Sequence, residues 1–412
     1  MAAKAAARTR SASVAQLALK ACGAPRFRQW VVRRCAVIPA EAVGAELGSP
    51  AGGRAEVAPE DGLGRECSPT TALDAACRVI AAAGDDGQRV QAFWVVGELA
   101  GQGHEAAISV IQARLEDPVS KVRLMAMATL PEVLQKGCQW AISALAARLS
   151  DRDPTVQRGA ASVLPQLAVR GDRHAVDKVT TCIEVVDPDL RSPASRLAAL
   201  QAIGPLANRG DDRVIAAVAS CLEDPSDTVR SKAQTVLGVV ADKDDRRAVA
   251  AVRARILHGD PRVRQAAVRA MRCVAKRGSQ GAISAIAACC EDPDCRVRIA
   301  AVEVIARVAW HGDRQALFAA MARLLDSEGL VRDAAVEAVA RLSKTCDAEA
   351  MTALMQLKHP SPWVRESMIA AIRRVEKRGD PHVQDVLSTL LKNRSSCQKI
   401  RAPGSVDNLA ET

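Results

Sequence analysis

Glu223-Asp224-Pro225-Ser226-Asp227-Thr228-Val229-Arg230 is the stretch on which the reading of this chain turns, because its skeleton keeps returning. Asp-Pro followed shortly by Val-Arg recurs at Asp117-Pro118 with Val122-Arg123, at Asp260-Pro261 with Val263-Arg264, and at Asp292-Pro293 with Val297-Arg298. Looser copies are Asp153-Pro154 with Val156-Gln157, Asp326-Ser327 with Val331-Arg332, and His359-Pro360 with Val364-Arg365. With the Arg or Gln as phase mark, positions 123, 157, 196, 230, 264, 298, 332 and 365 are spaced by 34, 39, 34, 34, 34, 34 and 33 residues, and position 91 extends the series backwards. A period this steady implies one supersecondary unit copied about nine times.

The copy from Ala248 to Lys276 shows what the unit is. Val249, Val252 and Ile256 recur at helical spacing, and then Gly259, Asp260 and Pro261 interrupt the pattern. Gly suits a left-handed C-cap, Asp accepts from orphan amides, and Pro fits a first helical position. Val263, Ala267, Ala270, Met271 and Val274 then form an apolar stripe, with Gln265, Arg269, Arg272 and Lys276 on another face. Each unit therefore reads as helix A, a short turn, helix B, and a short turn into the next copy. A lone hairpin of this length cannot bury enough apolar surface to offset its ordering entropy, so stacked copies must share one core.

Composition narrows the function classes. The net charge is +10, but residues 71–380 carry 43 Lys/Arg against 38 Asp/Glu, too even for a dedicated nucleic-acid sleeve. Thirteen Cys are scattered without a secretory leader, which reads as a reducing, intracellular setting in which most behave as small hydrophobes. No uncharged apolar run is long enough to span a membrane. Residues 1–40 hold eight basic residues and no acid; they read equally as an organellar (plastid or mitochondrial) transit peptide or as a basic extension. The expected division is a low-complexity extension and linker over 1–68, repeats over 69–392, and a polar tail over 393–412. Pro131, Pro165 and Pro205 fall inside B helices and predict kinks there.

The turn Asp, the Val-Arg that opens helix B and the Ala and Leu that follow resemble the HEAT repeat family, in its short, bilin-lyase-like variety. The resemblance covers roughly residues 70–392. It implies an all-α, right-handed α-solenoid of two-helix HEAT-like repeats, an armadillo-type fold. It also implies a structural ladder in which Arg230, Arg264, Arg298 and Arg332 pair with turn acids such as Asp224, Asp260 and Asp292. Arg123, Arg196 and Arg365 occupy the same phase.

Motifs with sharper chemistry mostly dissolve into this repeat. Arg-Gly-Asp occurs at 170–172, 209–211 and 378–380, always where Gly ends helix B and Asp starts helix A, which is capping chemistry. Cys289, Cys290 and Cys295 lack the spacing of a zinc site, so no metal is expected. His104-Glu105 is a single His-Glu pair, whereas HEAT-like deoxyhypusine hydroxylases use several to hold two irons. No phosphate loop or nucleophile constellation appears, and no cofactor is expected.

One stretch stands out. Residues 246–277 contain ten basic residues against the single acid Asp260. Arg269, Arg272 and Lys276 share a face of helix B, and Arg253 and Arg255 are expected to approach from helix A. The resulting expectation is a protein-binding scaffold whose partner presents an acidic surface. Two alternatives stay open: a HEAT-like lyase or chaperone-type subunit acting on a chromophore protein, and nucleic-acid association through 246–277.

Overall fold

In the computed structural model the described residues are 69–82, 85–184, 192–343 and 362–375. The 1–68 extension, residues 185–191 and 344–361, the end of the repeat region at 376–392 with the third Arg-Gly-Asp, and the tail after 392 lie outside them. Among the described residues there are seventeen α-helices, two short 3-10 turns and no strand.

In order they are α1 (Pro69–Ala81), α2 (Asp86–Leu99), α3 (Glu105–Arg114), α4 (Ser120–Val133), α5 (Gln139–Arg148), α6 (Pro154–Leu167), α7 (Arg173–Glu184), α8 (Pro193–Leu206) and α9 (Asp212–Ser220). They continue as α10 (Asp227–Val240), α11 (Arg246–Ile256), α12 (Pro261–Val274), α13 (Gln280–Cys289), α14 (Cys295–Val308), α15 (Arg314–Ala322), α16 (Gly329–Leu342) and α17 (Pro362–Val375). Odd members through α15 are A helices, even members are B helices, and α17 is the B helix of a ninth copy. The chain divides into two compact units between Ala217 and Val218.

In each unit the helices form two layers. Within residues 1–217 the B helices α2, α4, α6 and α8 pack each on the next, and α1 with α3 and α5 with α7 form the A layer. Within residues 218–412 the B succession is α10, α12, α14, α16 and α17, faced by α11, α13 and α15. The seam between layers is apolar. On α12, Val263, Ala267, Ala270, Met271 and Val274 are all buried, and on α11 the inward residues are Ala248, Val252 and Ile256. Val249, expected on that stripe, is only half-buried, because the inward line of α11 runs at intervals of four from Ala248. Small residues such as Ala267, Ala301 and Ala335, all fully buried, let neighbouring helix axes approach closely.

Both turns are built by local chemistry. In the B-to-A turns Gly103, Gly137, Gly171, Gly278 and Gly312 hold φ between +80° and +87°, where a Cβ is disfavoured. That conformation aims each N–H at the end of the next B helix: Gly103 donates to Val133 O (2.9 Å), Gly137 to Leu167 O (2.8 Å) and Gly312 to Leu342 O (2.7 Å). Asp244 takes this place with φ +62° and donates to Val274 O at 2.9 Å. Where Asp follows the Gly it caps helix A: Asp172 accepts from the His174 and Ala175 amides (2.9 and 3.2 Å), and Asp313 from the Ala316 amide (3.0 Å). Two of the Arg-Gly-Asp triplets are therefore capping turns.

One expectation needs correction. The first copy's phase mark is Arg89, not position 91, and its helices are 69–81 and 86–99; this copy lacks the Asp-Pro that sets the register elsewhere. Pro131, Pro165 and Pro205 lie in the last turns of α4, α6 and α8, which run through them without a break. Bonding resumes just past each Pro, as in Leu134 N to Leu130 O (2.9 Å) and Ala168 N to Leu164 O (3.0 Å), so each removes one donor near a helix end.

Candidate binding surface

In three copies, at Arg123, Arg264 and Arg298, the phase-mark arginine at the start of the B helix makes two sets of contacts. Its Nη1 clasps two carbonyls of its own A–B turn: Arg264 donates to His258 O (3.0 Å) and Gly259 O (2.9 Å), and Arg298 to Asp292 O (2.9 Å) and Pro293 O (3.1 Å). Nε and Nη2 then reach across to a carboxylate in the next copy's turn, 28 residues on. Arg264 meets Asp292 at 2.7 and 2.8 Å, and Arg298 meets Asp326 at 2.8 Å through both nitrogens. Arg123 does the same with Asp151, and Arg89 donates to Asp117 at 2.7 Å.

These pairs are largely buried; the side chains of Arg298 and Asp326 are 12% and 3% exposed. Burial pushes the Asp326 carboxyl up, yet the hydrogen bonds from Arg298 and the Glu328 amide outweigh it, and its pKa ends below the ordinary value. The Asp292 hydrogen bond holds Arg264 above the usual guanidinium value.

Among the remaining ladder candidates Asp224 stands at the same phase as Asp292 and Asp326, six residues before its phase-mark arginine, whereas Asp260 does not. Asp260 caps α12, accepting from Arg262 N at 2.7 Å, two residues beyond the phase at which Asp292 and Asp326 receive an arginine. Asp224 is buried and accepts from Ser226 N at 2.8 Å. Arg230 clasps the Asp224 and Pro225 carbonyls and pairs with Asp227. Arg332 clasps the Asp326 and Ser327 carbonyls (2.8 and 2.9 Å).

The five basic residues expected to form one patch do not gather. Arg269 and Arg272 are exposed on the side of α12 opposite its buried stripe, whereas Lys276, also exposed, does not share that helix: α12 ends at Val274, and the extended Ala275 carries the chain into the next turn. Arg253 is exposed on α11, in the other layer. Arg255, also on α11, is an ion-pair partner of Glu223 (2.9 Å) and donates to Ala251 O (2.9 Å). One feature beside the α12 row escaped the sequence reading. The Arg277 guanidinium lies over the Trp310 ring at 4.6 Å, and Trp310, more than half exposed, sits where a Cβ on Gly278 would collide with it.

The residues weighed for chemistry are occupied structurally. His104 Nδ1 accepts from the Ala107 amide (3.3 Å) as the cap of α3. Burial pushes the Cys289 thiol up to about 11 and Cys290 to about 12, so both stay protonated at neutral pH. Among the described residues no group of three or more His, Cys, Asp or Glu could hold a metal ion, and no helix is long and apolar enough to cross a membrane.

A family model described as HEAT repeats matches residues 189–272, 215–306, 256–340 and 283–368. Among curated protein sequences none matches the chain. Solved structures similar to it include the karyopherin Kap121p bound to the extreme C-terminus of the phosphatase Cdc14p, at TM-score 0.56 and 13% identity, covering 80% of this chain and 40% of that one. Kap121p bound to Nup53p is similar at TM-score 0.55 and 12% identity, with the same coverage. At such identity the likeness is one of fold, and this chain spans about two-fifths of the karyopherin's length. Residues 189–368 of this chain are therefore HEAT repeats, and the helix pairs that precede them carry the same glycine turns, helix caps and arginine ladder.

Proposed function

We propose that the chain is a non-catalytic scaffold that binds another protein, and that the outer side of α12 docks an acidic surface of that partner. The observation that carries this reading is the row Arg269, Arg272 and Lys276. Arg269 and Arg272, one turn apart on α12, and Lys276, two residues past its end, are all exposed and make no ion pair among the described residues. Like charges so placed disfavour an isolated helix slightly, and the row contributes nothing to the buried stripe. A complementary anionic surface would offset the repulsion and steer association. The fold supports the reading, since the karyopherin it resembles is seen bound to segments of other proteins.

The test is fluorescence anisotropy with a labelled deca-glutamate peptide. Wild type should bind it, more weakly as salt rises, because the Debye length shrinks to about 8 Å near physiological ionic strength. Reversing Arg269, Arg272 and Lys276 to Glu should abolish that binding while leaving the melt within about 1 kcal/mol of wild type. Equal binding by the reversed protein would reject the α12 site. Tighter binding of a single-stranded RNA than of the peptide, again lost on reversal, would move the assignment to nucleic acid.

A further inference from the structure

We propose that Arg230, Arg255 and His258 form a binding site for a carboxylate, at the place where four other copies of the repeat carry their own aspartate. In those copies the phase-mark arginine meets the residue 28 positions on: Arg89 with Asp117, Arg123 with Asp151, Arg264 with Asp292 and Arg298 with Asp326. Three of these carboxylates are also approached by the arginine three residues before them, at 3.4 to 3.8 Å: Arg114, Arg148 and Arg323. The corresponding residues for Arg230 are His258, 28 positions on, and Arg255, three before it.

The arginines are set as elsewhere, but the acceptor is missing. Arg230 is fixed by its Nη1, which donates to Asp224 O (2.7 Å) and Pro225 O (2.8 Å), as Arg298 is fixed by its own turn. Its Nη2 finds only the highly exposed Asp227 (3.0 Å), and its Nε, which binds the carboxylate in Arg264 and Arg298, has no acceptor although the residue is only 6% exposed. Arg255 pairs with Glu223 at 2.9 Å, as Arg148 pairs with Glu116 at 3.0 Å in a copy where Arg148 also approaches its aspartate, Asp151.

His258 cannot substitute for the aspartate. Its Nδ1 accepts from the Asp260 amide (3.0 Å), the role played elsewhere by one carboxylate oxygen, as when Asp292 accepts from Asp294 N (2.9 Å). A neutral imidazole has one acceptor nitrogen, so with Nδ1 engaged the other carries the proton and offers a donor. Two guanidiniums and an N–H donor thus stand where the repeat is built to hold an anion. A carboxylate matches the berth because carboxylates fill its four counterparts, and Arg Nε and Nη2 present a planar fork that binds both oxygens. It can come from a small free acid or from an Asp or Glu side chain of a protein.

The test follows the Arg230 Nε–H resonance, assigned by its loss in Arg230→Lys, on the full chain. Sodium acetate probes a free carboxylate and deca-glutamate a side chain, each against sodium chloride at equal ionic strength. A saturable shift with either probe supports the site, and the stronger one names the source. His258→Asp supplies the carboxylate from within. It should raise the melting temperature by about 2 °C or more and remove the response to both probes. No shift with either probe, or a shift that persists in His258→Asp, overturns the proposal, as does a variant that melts below wild type.

Discussion

Val263→Asp is expected to lower the stability of the array by roughly 3 kcal/mol or more. Val263 opens the inward stripe of α12 at 3% exposure, with Ala267 and Ala270 behind it at 0%. A carboxylate there would be desolvated without a donor, since the arginine beside it, Arg264, is already spent on Asp292 and the turn carbonyls. Gln265→Asp, two residues on and half-buried, loses only the side-chain hydrogen bond to Arg296 O (3.3 Å) and should change stability by about 1 kcal/mol or less. Thermal melts of the two variants compare them directly. Equal losses would mean that the face turned to the core has been assigned wrongly.

Arg264→Ala should cost nearly as much, about 3 kcal/mol, for a different reason. The substitution leaves the Asp292 carboxylate, 9% exposed, without its bidentate partner and frees two carbonyls of the α11–α12 turn. Removing half of a buried pair costs more than the net worth of the pair, because the remaining charge cannot be rehydrated where it sits. Arg272→Ala, eight residues along the same helix, should stay within about 0.5 kcal/mol of wild type. The ladder also gives a pH dependence of known sign. Asp326 has a depressed pKa in the folded state, so its contribution is present above the unfolded carboxyl value of about 3.9 and is lost as pH falls through the lower folded value. Arg298→Ala should flatten that part of the acid-unfolding curve, and an unchanged curve would remove Asp326 from the set of stabilising pairs.

How much of this was legible depended on how local the chemistry is. The hairpin was readable because its signals sit within a few residues: Gly278 must leave the ordinary helical region, Asp294 caps the helix that follows it, and Val263 to Val274 keep helical spacing. The ladder was legible as a role but not as a pairing. Asp260 looks like a partner for Arg264 because it lies four residues away, yet it is consumed in capping, and the real partner, Asp292, is 28 residues on in the next copy. That separation recurs between Arg89 and Asp117 and between Arg123 and Asp151, and was the signal available in the sequence. The basic patch was over-read for a similar reason. Density of arginine along the chain does not distinguish the two layers, and hence could not separate Arg253 from Arg272, nor foresee that Glu223 of the preceding copy engages Arg255. The Arg277–Trp310 stack joins neighbours in successive copies and leaves no local pattern.

Docking is proposed to belong to the outer side of α12 and not to the net positive charge of the chain. Arg272→Glu and Arg253→Glu change that charge equally, but on opposite layers of one hairpin, and both residues are exposed. Affinity for labelled deca-glutamate, measured on the two variants at one ionic strength, should fall at least about tenfold for Arg272→Glu, a difference of 1.4 kcal/mol, and stay near wild type for Arg253→Glu. Equal losses in the two variants would contradict the claim and leave only unspecific attraction to a basic protein.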